Sequence, residues 1–136
     1  MNEVIADADK NRLVIEYGEI TIDGYISFAG DILKEAGKLK KGFTVFSDLR
    51  NFKMKNSEEI VSANVSEIIK IQKELYEMGA SEVVRVVDPQ VWLLAAMQEA
   101  EKEVGYNAII FDDIDEANAA LNDIELEISE MIEENR

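Results

Sequence analysis

Short β-type runs alternate with longer stretches of helical period, and this alternation most narrows the folds open to the chain. Val4 to Ala8 and Arg12 to Tyr17 are extended runs separated by Asp9-Lys10-Asn11, whose side chains favour a tight turn, so a β-hairpin is expected at the start. Leu13, Ile15 and Tyr17 alternate with Val14 and Glu16, giving the second strand one apolar and one mixed face before Gly18 ends it. From Asp23 onward, Tyr25, Phe28, Ala29, Ile32, Ala36 and Leu39 recur at spacings of three and four, which predicts a first helix to about Lys40. Phe43-Thr44-Val45-Phe46 is aromatic and β-branched, as a strand buried on both faces in mid-sheet should be, and Ser47 to Asn51 form its polar exit.

Asn56 and Ser57 are cap residues for a second helix, with Glu59 in the capping-box position three residues after Asn56. Val61, Val65, Ile68, Ile71, Leu75 and Met78 form its buried stripe, and Gly79 ends it. Val83, Val84, Val86 and Val87 predict a further strand, and Asp88-Pro89 opens a third helix carrying Leu93, Met97, Ala100 and Val104 as far as Gly105. Ala108 to Phe111 is a last apolar strand, expected to be buried like the two before it. Ile114, Ala117, Leu121, Ile124, Ile128 and Met131 then draw one stripe along a final helix to about Glu133. Helices alternating with strands after an opening hairpin imply an α/β fold with a mixed, largely parallel sheet and flanking helices. There is no repeat or linker at which to divide the chain, so residues 1–136 are read as one domain, with 122–136 as a C-terminal helical extension.

Composition closes several chemistries. The chain has no cysteine and no histidine, which removes thiolate and imidazole metal sites and the Ser-His-Asp and Cys-His arrangements. No metal or cofactor is therefore expected, and carboxylates alone form no recognisable catalytic pair. With 14 basic against 29 acidic residues the net charge is −15, which repels phosphate backbones and makes nucleic acid an unexpected partner. Lys34, Lys38, Lys40, Lys41, Arg50, Lys53 and Lys55 gather before the midpoint, while Asp112 to Glu134 is almost purely acidic. No window reaches the length of a membrane span, and Glu3 and Asp7 do not suit a secretory leader, so a cytoplasmic protein is expected.

Three stretches in this order resemble the STAS domain, the fold of sulfate-transporter cytoplasmic tails and of bacterial anti-sigma factor antagonists of the SpoIIAA type. Asp48-Leu49-Arg50-Asn51-Phe52-Lys53-Met54-Lys55-Asn56-Ser57-Glu58-Glu59-Ile60 lies without gaps on that family's D-L-x-x-V-x-x-I-D-S-S-G-L stretch. Val86 to Val91 is similar to its strand ending in a polar residue and proline, and Gly105 to Phe111 with Asp115-Glu116-Ala117 to its closing strand and E-A-L helix. The likeness runs from about Asn11 to Leu121 and is nearest to the small SpoIIAA-like proteins. It implies a regulatory, protein-binding role with the partner meeting Lys53, Asn56, Ser57, Glu58 and Glu59 and the exposed side of the second helix. In regulatory members the second serine of D-S-S-G takes phosphate. Glu58 stands there in this chain, and its fixed carboxylate at a helix N-terminus resembles a weaker, permanent phosphorylated state.

Other residues allow two readings. Ser57 is either a helix cap or a hydroxyl open to modification, and Asp112, Asp113, Asp115 and Glu116 fit a capped helix start better than a calcium loop. Trp92, in an apolar run wider than one helical face needs, is either core or turned to a partner, as are Tyr76 and Ile69. The stripe through Ile124, Ile128 and Met131 either docks a partner or second copy, giving a homodimer, or folds back on its own sheet. The leading expectation is a non-catalytic STAS-like interaction or regulatory module with a protein partner. The alternative is a binder of a lipid or other small apolar ligand, similar to CRAL-TRIO proteins, which needs an apolar pocket.

Overall fold

A computed structural model describes residues 2–54, 70–87 and 108–134. Strands β1 (Glu3–Asp7) and β2 (Arg12–Glu16) form the expected antiparallel hairpin, register Ile5 opposite Val14. Asn11 makes the turn in the left-handed region, at φ 52°, which its short polar side chain tolerates. The same residue ties the hairpin to the chain before the central strand: its amide donates to the Lys40 carbonyl at 3.1 Å and its side-chain oxygen accepts from the Lys40 N–H at 2.9 Å.

Helix α1 (Ile22–Ala36) is capped by Thr21, whose hydroxyl accepts from the Gly24 N–H at 3.0 Å. It stops four residues short of the expected Lys40. Lys38 and Leu39 bond back three residues, to Glu35 and Ala36, in a tighter closing turn, which still leaves Leu39 packed against the core. Strands β4 (Thr44–Asp48), β6 (Glu82–Val86) and β7 (Ala108–Phe111) then add in parallel, so the main sheet runs β1-β2-β4-β6-β7 with β4 at its centre. Two strands escaped the sequence reading: β3 (Glu19–Ile20) and β5 (Lys53–Met54) pair in parallel as a separate two-residue ladder. Residues 70–77 are the described part of the second helix, α2, which buries Ile71 and Leu75 as its stripe predicts. The predicted third helix lies outside the described residues. Gly79 ends α2 with φ 108°, and any Cβ there would meet the Lys41 Cα at 3.1 Å, so glycine is required by both conformation and space.

The two sheet faces are covered differently. Tyr25, Phe28, Ala29 and Ile32 of α1, with Ile71 and Leu75 of α2, close over Leu13, Ile15, Val45, Val83 and Val87. On the other face α3 (Ile114–Glu134) sets Ala117 and Leu121, both wholly buried, on Phe46, Val84 and Val86, with Ile114 and Ile124 at the margin. Of the two fates open to the C-terminal stripe, its first half thus folds back on its own sheet, where burial of each large side chain contributes about 1.5–3 kcal/mol. Strand β7 is less enclosed than its composition suggests. It is the outermost strand on that side among the described residues, and although Phe111 packs beside the α3 cluster, Ile109 is 42% exposed.

Candidate functional site

The C-terminal ends of the parallel strands converge at one end of the sheet, where open α/β sheets place their ligands. They are stitched in sequence: the Tyr17 N–H donates to the Asp48 carbonyl (3.0 Å), Leu49 to Val86 (2.8 Å) and Val87 to Phe111 (2.9 Å). Tyr17 lies beneath the exit of β4, edge-on to Phe28 (5.7 Å) and Phe52 (5.5 Å) and stacked at 6.4 Å on Tyr25. Burial pushes its phenol up to about 12, an effect partly offset by the nearby Arg85 charge and a hydrogen bond with Tyr25. Tyr17 is therefore a neutral packing residue with a satisfied polar tip.

At the same end, the Arg50 side chain grips Asp48 in a two-pronged ion pair, Nε to Oδ1 at 2.9 Å and Nη2 to Oδ2 at 2.7 Å, while the Arg50 N–H also reaches Oδ1. The side-chain hydrogen bonds from Arg50 hold the Asp48 carboxyl below its usual range, against a smaller opposing effect of burial. A carboxylate so fixed is an anchored anion at neutral pH and donates no proton. The pair shapes the turn that leads to Lys53, whose backbone pairs with Glu19.

A second polar cluster sits at the opposite end of the sheet. Arg12, 6% exposed at the start of β2, donates through Nε to Glu125 Oε2 (2.8 Å) and through Nη2 to Glu125 Oε1 and Asn122 Oδ1. Thr44, which starts β4, donates its hydroxyl to the same Glu125 Oε2 at 2.7 Å. These bonds clasp α3 across two strands. Because Glu125 and Arg12 are 113 residues apart, no local pattern announced the clasp. Arg85 was also missed, although its signal was legible: one arginine inside a valine run. It is the penultimate residue of β6, opposite Ser47, and is 1% exposed.

The residues singled out from sequence do not form one surface. Lys53 follows the C-terminal end of β4, whereas Ile124 and Ile128 flank the clasp at the N-terminal ends of β2 and β4. Ile124 packs toward the sheet, Ile128 is half-buried beside the hairpin turn, and Met131 is 61% exposed. Asn56, Ser57, Glu58, Glu59 and Trp92 lie outside the described residues. Tyr76, by contrast, projects from α2 and is 62% exposed, with Lys70, Lys73 and Glu77 exposed around it. Among the described residues there is no group of three or more carboxylates suited to a metal ion, and no helix is long and apolar enough to cross a membrane. No known family model matches the chain, and no curated protein matches it. The described residues thus form a mixed, mostly parallel five-stranded α/β sheet with helices on both faces.

Proposed function

We propose that the chain is a non-catalytic protein-interaction or regulatory module of the STAS kind, acting in the cytoplasm, with its contact surface running from Lys53 through residues 56–59 to the outward face of α2. The observation that carries this reading is Tyr76: a large aromatic turned to solvent on that helix, with the exposed Lys73 one turn before it. Tyrosine combines a broad apolar body with a polar tip and is enriched at protein interfaces. The opening antiparallel hairpin followed by parallel strands also agrees with what the resemblance implies. Glu58 serves in this reading as a permanent carboxylate in place of a switchable phosphate.

The small-ligand alternative would need a pocket other than the two among the described residues. The described grooves, of about 520 and 450 Å³, are open and rimmed by charged groups such as Asp31, Lys34, Asp9 and Lys10. A lipid needs an enclosed apolar wall. The test is a photoreactive amino acid placed at position 76, with a second chain labelled at the exposed Ala119 of α3, on the opposite sheet face, as control. In the source cells the position-76 chain is expected to crosslink one protein that the position-119 chain does not. Identical crosslinks from both positions, or none from 76, would sink the reading.

A further inference from the structure

We propose that β1 is a docking edge for an extended, basic peptide segment of a partner protein, which adds to the main sheet as a sixth strand. Among the described residues β1 is the outermost strand on its side, with β2 as its only neighbour. An edge strand offers a row of main-chain donors and acceptors to any chain laid beside it at the usual spacing of about 4.8 Å. Here the edge also borders a groove. Between β1 and α1 lies a concavity of about 520 Å³, with Val4, Ile5 and Phe28 at its apolar part and Asp31, Lys34 and the Glu35–Lys38 ion pair along α1. An edge strand facing a helix across a groove is the layout in which added strands gain affinity from the main chain and specificity from alternate side chains.

The occupant's charge follows from the pleat. Glu3, Ile5 and Asp7 share one face of β1, and Ile5 is 59% exposed there, so an added strand that covers it with an apolar residue places its flanking side chains opposite two carboxylates. A second copy of this chain is a poor occupant. Antiparallel pairing of two β1 strands centred on Ile5 sets Glu3 against Asp7, and parallel pairing in register sets Glu3 against Glu3. The net charge of −15 on each copy adds to that repulsion. A segment with lysine or arginine on either side of an apolar residue, at alternate positions, meets both requirements.

The probe is the peptide acetyl-Gly-Lys-Thr-Val-Thr-Lys-Gly-amide, with a control in which both lysines are glutamate, titrated into the 15N-labelled full chain. The basic peptide is expected to shift the amide resonances of Glu3 to Asp7 and slow their hydrogen exchange, while the acidic peptide does neither. Glu3→Lys, a change at an exposed side chain, should weaken the basic peptide about fivefold, since it turns a cross-strand attraction into a repulsion. Tyr76→Ala should leave this binding unchanged, which separates the β1 edge from the α2 surface. Absence of binding, shifts confined to the acidic α3, or indifference to Glu3→Lys would each overturn the proposal.

Discussion

Beneath the exit of the central strand, the Tyr17 phenol is enclosed by Tyr25, Phe28 and Phe52 and titrates at about 12 where an exposed tyrosine titrates near 10. The folded state holds this proton more tightly than the unfolded chain does. Its stabilising contribution is therefore complete below pH 10 and disappears as pH rises through 12. By linkage the loss between pH 9 and pH 11 is on the order of 1 kcal/mol. Tyr17→Phe keeps the ring contacts and removes the titration, so its urea midpoint should fall less steeply over that range. Equal slopes for the two proteins would show that burial does not shift this phenol. Asp48 acts at the other end of the scale. With its carboxyl held low by Arg50, its contribution is present above the ordinary carboxylate range and fades as the solution is acidified.

Among the elements, α3 divides at Glu125. Before it, Ala117 and Leu121 are buried on the sheet; after it, the stripe residue Ile128 is half-buried and Met131 is 61% exposed. At the changeover Glu125 is the carboxylate that neutralises a nearly buried Arg12. A chain ending at Ser129 keeps that pair and should lose less than about 1 kcal/mol of unfolding free energy. One ending at Asn122 removes Glu125 together with the partly buried Ile124 and Ile128, and should lose more, about 2–4 kcal/mol, as the ion pair and apolar burial go together. Urea unfolding of both truncations checks the difference, and equal stability would mean that the clasp contributes nothing.

The same elements show how much of the architecture was legible in the sequence. Phe43 to Phe46 and Val83 to Val87 announce the two central strands because strands covered on both sides require apolar, β-branched runs, although Ser47 and Asp48, read as a polar exit, continue β4. Glu19–Ile20 and Lys53–Met54 could not, because two residues carry no period. Similarly, the α3 stripe was visible along its whole length, but the point at which it leaves the sheet depends on Arg12 and Thr44. The end of α1 at Ala36 was hidden because Leu39 keeps the helical spacing after the helix has stopped.

For the molecule as a whole, sheet order decides what each surface is. With β4 at the centre and β1 at one margin, α1 and α2 share one face, α3 lies on the other, and the two polar clusters fall at opposite ends of the strands. The α2 surface around Tyr76 and the β1 edge are then separate places on an acidic body, able to meet different partners. The most direct test is a set of long-range backbone NOEs on the uniformly labelled full chain. Parallel contacts are predicted between Val14 and Phe46 and between Phe46 and Val84, with antiparallel contacts between Ile5 and Val14. Contacts placing β1 against β4, or β2 against β6, would contradict the sheet order and with it both proposed surfaces.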